Sequence, residues 1–366
     1  IIPLDVRGTT KTATELTSQE LEALQYMKKC GKLVMIKKGE KGTTSGRRRS
    51  IDMKTEFDVI ALGELLIDFT MNGTSSQGNQ VFEACPGGAP CNVLAMLNKL
   101  GKKTAFIGKV GQDQFGLLLK QTLENAGICT EYLYLDPDIH TALAFVHTLE
   151  NGDRDFSFYR NPGADMMLTE EEVELDFLKK AKIFHFGTLS LTDEPARSAT
   201  ICAVRHAKQQ GVRISFDPNY RAPLWKNEAE AIKWMRWGLE QADLVKISEE
   251  ELQMLFGKDI DTSVKEAMSL GVQELYVTAG SRGAYFYSHN ERCYDNGFSV
   301  VAVDTTGCGD AFTGAILYQN CREPGRSAAE RLRFANAVGA LCAMRPGGMS
   351  SMPDMKMVAH MLENGV

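Results

Sequence analysis

The sequence has little of what marks a secreted, membrane-spanning or metal-clustered protein. No apolar run approaches the roughly 18 residues that a membrane helix needs. Nine cysteines (30, 85, 91, 129, 202, 293, 308, 321 and 342) contain no Cys-x-x-Cys pair, and their odd number leaves at least one thiol unpaired. That pattern argues against a disulfide framework and makes the reducing cytoplasm the expected compartment. The six histidines stand apart in apolar or helical stretches, where a structural imidazole is expected rather than a metal ligand. Positive charge is also in deficit, with a net charge of −6. A phosphate-backbone binder would concentrate basic surface, so the expected partners are small molecules, with no nucleic acid and no membrane.

One stretch runs against that balance. Residues 1–52 hold eleven Lys/Arg against six Asp/Glu, a net of +5, which leaves −11 for the other 314 residues (−6 minus +5). Arg47-Arg48-Arg49 and Lys37-Lys38 lie there without apolar periodicity, Glu20 to Tyr26 has the pattern of a short helix, and no apolar core with a small-residue cleavage site reads as a secretory signal. Met53 stands just before the first strong strand pattern. Translation beginning at Met53 is therefore the expectation, with residues 1–56 a non-native or disordered extension and 57–366 a main domain. A basic tail for nucleic acid or membrane is the alternative.

From Phe57 onward the composition is globular, 43% hydrophobic with 24% charged over the chain. Buried-strand runs recur at Phe57–Gly63, Ala105–Val110, Ile183–Gly187, Arg213–Asp217, Leu244–Ile247 and Leu275–Thr278. Between them lie helix-like stretches at Asn92–Leu100, Gly116–Ala126, Glu194–Gln210, Glu228–Gln241, Ser248–Phe256 and Ser263–Leu270, several followed by Gly (101, 127, 211, 271). The alternation predicts an α/β fold with a mostly parallel sheet covered by helices on both faces. Two stretches break it, Glu64–Phe82 and His140–Arg160, the latter with period-two alternation and an Asn151-Gly152 turn. They predict a small β lid outside the main sheet.

Parallel sheets bind ligands at the carboxyl ends of their strands. Asp68, Asp217-Pro218-Asn219-Tyr220-Arg221, Lys246-Ile247-Ser248-Glu249-Glu250-Glu251 and Thr278-Ala279-Gly280-Ser281-Arg282-Gly283 all follow strand runs. Any one of them reads equally as a helix cap, but four such sites lead to Asp304-Thr305-Thr306-Gly307-Cys308-Gly309-Asp310-Ala311-Phe312. There a glycine pair opens a helix, whose first N–H groups and dipole favour an anion. Asp310 at the helix start suits a proton acceptor, and the pattern points to phosphoryl transfer. Pro86-Gly87-Gly88-Ala89-Pro90-Cys91-Asn92 is a second glycine pair before a helix. It reads either as a tight cap or as a close approach of backbone to a polyhydroxylated ligand.

Pro86–Asn92, Gly108–Gly116 and Asp304–Phe312 resemble, in order and spacing, the signatures of the ribokinase-like (pfkB-type) carbohydrate kinases. Gly63-Glu64, Phe156–Arg160, Phe184–Leu191 and Phe216–Arg221 resemble the fructokinase branch, and the resemblance runs from about Phe57 to Pro353. It implies a ribokinase-like three-layer sandwich and ATP-dependent phosphorylation of a sugar hydroxyl. Asp310 would be the base, and the N–H groups of Gly307, Cys308 and Gly309 the anion hole. Asp68, Gly87, Gly88 and Asn92 would hold the sugar, and Arg160 and Arg221 would contact hydroxyls or the transferring phosphate. By the same resemblance Lys246, Ser248 and Glu251 face the nucleotide phosphates and hydrated Mg²⁺, Thr278, Gly280 and Gly283 flank the nucleotide, and Asn336 lies near the adenine. Asp304 and Thr306 match a monovalent-cation position, for which K⁺ is the candidate.

Two residues depart from the family pattern. Cys308 stands where Ala is usual and Ser248 where Asn is common, and neither removes a backbone N–H. A thiol at a helix N-terminus is expected to be acidified, which would make Cys308 sensitive to oxidation or alkylation; an inert buried thiol is the alternative. Fructose is the expected substrate, with 2-keto-3-deoxygluconate or another ketose as the runner-up. A catalytically silent scaffold subunit is the rival from another class. A homodimer through the lid would draw on Leu143, Phe145 and Phe156–Phe158.

Overall fold

The computed structural model describes residues 55–148, 154–321 and 326–365, all within one compact unit, Met53–Val366. The basic extension, its short helix and the Asn151-Gly152 turn lie outside the described residues. The strands are β1 (Phe57–Leu62), β2 (Leu66–Thr74), β3 (Gln80–Gly87), β4 (Thr104–Gly111), β5 (Cys129–Asp136), β6 (Leu143–Thr148), β7 (Arg154–Tyr159), β8 (Ala181–Gly187), β9 (Arg213–Asp217), β10 (Leu244–Ser248), β11 (Glu274–Thr278), β12 (Ala284–Ser288) and β13 (Arg292–Asp295). The main sheet runs β13-β12-β11-β10-β9-β8-β1-β4-β5. It is parallel from β11 to β5, and β12 and β13 add an antiparallel edge.

Alternation along the strands explains the layering. In β1, Val59 and Ala61 join one buried cluster while Ile60 and Leu62 join the other, and in β4 Phe106 and Ile107 divide in the same way. A strand apolar on both faces must be covered on both. On one side lie α1 (Ala89–Lys99), α2 (Gln114–Asn125) and, from the C-terminal part, helices Cys308–Asn320, Ala328–Ala343 and Met355–Asn364; on the other lie α3 (Leu175–Leu178), α4 (Ala196–Gln209), α5 (Glu228–Gln241), α6 (Glu249–Phe256) and α7 (Ile260–Ser269). The three C-terminal helices are α8, α9 and α10 in that order. The expected terminal glycines 101, 127, 211 and 271 all have positive φ. None of the described helices is long and apolar enough to cross a membrane.

The lid is a separate sheet of order β3-β2-β6-β7. Its first half reaches further than the Glu64–Phe82 expected, because β3 pairs with β2 as far as Leu66 opposite Gly87. The strand therefore delivers the glycine pair straight to α1. Ala142 and Ala144 pack with Leu66 and Phe158 on one lid face, while Phe145 stacks on Phe69 at 4.9 Å and meets Phe82 and Tyr159 edge-on. Phe145 and Phe158 thus belong to opposite faces, since Phe158 pairs with Ala144 in the register. They do not form the single apolar surface expected for a dimer.

Candidate active site

The turn into α8 is fixed from both sides. Val303 and Asp304 donate their N–H groups to the Ala343 carbonyl at 2.8 and 3.1 Å. The Asp304 carboxylate accepts from the N–H groups of Thr306 (2.6 Å) and Gly347 (2.9 Å). Gly307 takes φ 76 as the N-cap, a conformation that costs a residue with Cβ strain. The Cys308 N–H turns back to the Thr305 carbonyl at 3.3 Å, so the cradle falls mainly to its neighbours in the turn. Two residues later Asp310 is buried on the first turn of α8.

Asp310 sits in a polar cluster assembled from four elements. Asn92 of α1 donates from Nδ2 to its Oδ2 at 2.8 Å. Lys246 of β10 lies 3.3 Å from the Asp217 carboxylate at the end of β9, which also accepts from Thr313 of α8 at 3.0 Å. Burial first, and then the like charge of Asp217, push the Asp310 carboxyl up to about 6, against the pull of Asn92, Lys246 and Arg221. Burial alone would lower Lys246, yet the charges of Asp217, Glu251 and Asp310 raise it. Behind this cluster His185 is buried and held neutral, its value lowered to about 3 by burial and by Lys246, with Nδ1 3.0 Å from Ser215 Oγ. A Cβ on Gly309 would lie 3.0 Å from Lys246 Nζ. The ammonium therefore stands directly against the glycine turn.

Two cavities meet at that turn. One, of about 490 Å³, is lined by Asp68, Gly88, Asn92, Arg221, Lys246, Ser248, Glu251, Thr306, Gly307, Gly309 and Asp310, with Glu64, Glu250 and Phe158 among the others. The second, of about 470 Å³, is lined by Thr278, Gly280, Gly283, Cys308, Gly309 and Asn336, and its apolar wall is Phe298, Val300, Ala302 and Phe312. Thr305 and Gly309 belong to both. The glycine pair next to β2 follows from close approach: a Cβ on Gly87 would collide with the Asp68 carboxylate, and one on Gly88, at φ 121, would lie 2.5 Å from the Glu64 carbonyl.

Not every expected residue is on a wall. Gly87 stands behind the first cavity, pressed on Asp68. Arg160 is buried, with Nε on Asp165 at 2.7 Å, one terminal nitrogen on Thr192 Oγ1 at 3.0 Å and the other on the Leu189 carbonyl at 3.0 Å. Its fork is committed to anchoring the lid to the body, which replaces the expected contact with hydroxyl or phosphate. Ser248 caps α6 and forms a capping box with Glu251, whose carboxylate also accepts from the Tyr220 N–H at 2.8 Å. The Cys308 expectation is reversed. A hydrogen bond with Cys342, then burial and the charges of Cys342, Asp304 and Asp310, push its thiol well above the ordinary range, outweighing the helix dipole.

Sequence reading gave no role to several residues the structure puts here. Asp217 was only a residue after a strand, and Glu64 only part of a resemblance; both are buried at the site. Asn219, at φ 46, lines the first cavity in a strained left-handed conformation. No cluster of three acidic, histidine or cysteine side chains fit for a metal occurs among the described residues.

Comparison with known proteins places this geometry in context. The profile described as pfkB family carbohydrate kinase matches residues 56–355. Fructokinase-2 of Oryza sativa subsp. japonica is 40% identical over 314 residues, covering 83% of this chain and 93% of the relative. Among solved structures, a double-mutant fructokinase from Vibrio cholerae O395 in fructose-, ADP- and potassium-bound form superimposes with TM-score 0.75 at 30% identity, over 83% of this chain and 97% of that one. A fructokinase from Xylella fastidiosa with bound ATP gives TM-score 0.75 at 33% identity, over 83% of this chain and 98% of that one.

Proposed function

The chain belongs to the pfkB family of carbohydrate kinases, and from that membership we propose that it is an ATP-dependent fructokinase, forming fructose 6-phosphate and ADP. The carrying observation is Asp310, buried where the two cavities meet, with Lys246 against the same turn. Asn92 occupies one oxygen of Asp310, which leaves the other to receive the proton of a sugar hydroxyl. N–H groups of the glycine turn and the Lys246 ammonium offset negative charge on the transferring group, so the protein's work is alignment and charge neutralisation. Asp68, Asn92 and Arg221 orient the sugar. Thr278, Gly280, Gly283 and Asn336 flank the nucleotide, whose base has an apolar wall in Phe298 and Val300. Phe158 brings the lid over the sugar cavity, which limits loss of ATP to water.

Charge separates fructose from the acidic runner-up. The sugar cavity has five carboxylates (Glu64, Asp68, Glu250, Glu251, Asp310) against two cations (Arg221, Lys246), and Lys246 already faces Asp217. A neutral ketose suits this wall better than 2-keto-3-deoxygluconate. An Mg²⁺ that arrives largely on phosphates and water needs no protein cage, and Glu251 and Ser248 would hold its hydration shell. When bound, it would neutralise phosphate charge. Asp304 and Thr306 are the residues proposed for K⁺. The cytoplasm is the proposed compartment, in keeping with eight cysteines outside any disulfide among the described residues.

The test is ATP consumption with Mg²⁺ and K⁺ against fructose, 2-keto-3-deoxygluconate, ribose, tagatose, adenosine and glucose. Fructose-dependent turnover is expected. Turnover with another sugar overturns the substrate, and no turnover with any of them favours the scaffold.

A further inference from the structure

We propose that Glu64 is a positioning residue for the sugar site, capping α1 from the lid crossing and thereby fixing Asn92 against Asp310. The argument begins with what the glycine pair cannot do. Gly88 is the N-cap of α1, has no side chain to accept from the helix, and no acidic residue lies in the first turn. Nor is a Ser or Asp admissible at that cap, because Gly88 has φ 121 and a Cβ there strikes the Glu64 carbonyl. A helix start built from Gly-Gly-Ala-Pro must therefore borrow its acceptor. Glu64 supplies it, with Oε1 accepting from the Ala89 N–H at 2.8 Å.

The borrowed cap sits at a mechanical crossing. Glu64 lies between the end of β1 and the start of β2, where the chain leaves the body for the lid. Arg160, one residue beyond β7, marks the return, and its ion pair with Asp165 acts electrostatically on Glu64. Three residues past the Glu64 bond, Asn92 reaches Asp310. One buried carboxylate thus ties the lid crossing, the helix that carries Asn92 and the proton acceptor into a chain of contacts, while also lining the sugar cavity.

Its ionisation gives the role a signature. Burial pushes the Glu64 carboxyl up to about 7, its own N–H and that of Ala89 hold it down, Asp165 of the turn Ala164–Met167 raises it and Arg160 lowers it; the Cys91 thiol of α1 is the other titratable group acted on by its charge. The ionised form is the better helix cap. Loss of the Glu64 charge and protonation of Asp310 should therefore both contribute to the acid limb of activity.

The inference rests on the fructokinase reading, and the experiment separates the two. Glu64→Gln and Glu64→Ala are assayed beside wild type for fructose KM, ATP KM and kcat over the acid range. In wild type, log kcat/KM for fructose should step down near pH 7 toward the level of Glu64→Gln before falling with a slope of about one below pH 6, and in Glu64→Gln the fall below pH 6 should remain without the step. Glu64→Ala should lose on the order of tenfold to a hundredfold in kcat/KM for fructose, with Glu64→Gln recovering much of it and ATP KM unchanged in both. The proposal is overturned if the Gln variant keeps the wild-type step near pH 7, or if both variants lose activity in proportion to folded protein with unchanged fructose KM and pH profile. Failure of wild type itself to turn over fructose sinks the substrate assignment instead.

Discussion

At the scale of single residues, function here has been placed where it costs stability. Asp310 is raised from 3.8 to about 6, so the fold favours its protonated form. The stabilising contribution is fully present below about pH 4 and is lost as pH rises through about 6. Two consequences follow for Asp310→Asn. Turnover should drop by about 10² to 10⁴, while stability above about pH 7 should increase by about 2 to 3 kcal/mol. Steady-state kinetics paired with denaturant unfolding reads both, and a variant that is inactive and less stable would contradict the buried-charge account. Wild-type activity should show an acid limb near pH 6. The neighbouring Cys308 should be slow to alkylate in the native protein, because its thiol is raised and hydrogen-bonded to Cys342. Peptide mass spectrometry after iodoacetamide checks this, and preferential labelling of Cys308 over the other cysteines would restore the acidified thiol.

At the scale of elements, the two cavities and the lid anchor can be perturbed separately. Gly283 has φ 92, and a Cβ there runs into the Asp295 carbonyl. Gly283→Ala should raise the KM for ATP several-fold, about 1 kcal/mol or more of strain, and leave the KM for fructose alone. An equal rise in both constants would mean that the cavities do not serve different substrates. Arg160→Met removes one partner of a buried ion pair and should destabilise by about 3 to 5 kcal/mol in urea unfolding. A raised fructose KM at unchanged stability would instead return Arg160 to the substrate. These elements also show what the sequence could reveal. β9 and α5 lie where periodicity put them, because buried runs and Gly or Asn punctuation are local signals. The antiparallel edge β12 and β13 and most of the lid strand β3 were not read, because each follows its partner through a short turn with no α-helix between to set the strand off, and β3 and β13 are only half buried.

At the scale of the whole molecule, the parallel pairing and two-sided covering of the sheet were implicit in the alternation, while the strand order, the edge strand β5 and the assembly around a site were not. Asp310, Asn92, Lys246 and the glycine turn could be picked out because glycine pairs and post-strand polar residues are conspicuous. Asp217 and Glu64 could not be given roles, because their importance arises from burial and from partners contributed by other elements. The apolar wall at Phe298, Val300 and Ala302 lies in an irregular stretch with no periodicity to read. Residues 53–366 alone should retain kcat and both KM values, since the described residues beyond Met53 already supply both cavities and the proton acceptor; a truncated protein that folds but loses turnover would give the N-terminal segment a catalytic part. The turn from Thr305 to Gly309 is a wall common to both cavities, and most other lining residues belong to one of them. With the sugar and the nucleotide in separate cavities, as proposed, the two preferences can drift along independent mutational paths, and a lineage seeking a new acceptor can keep its phosphate donor.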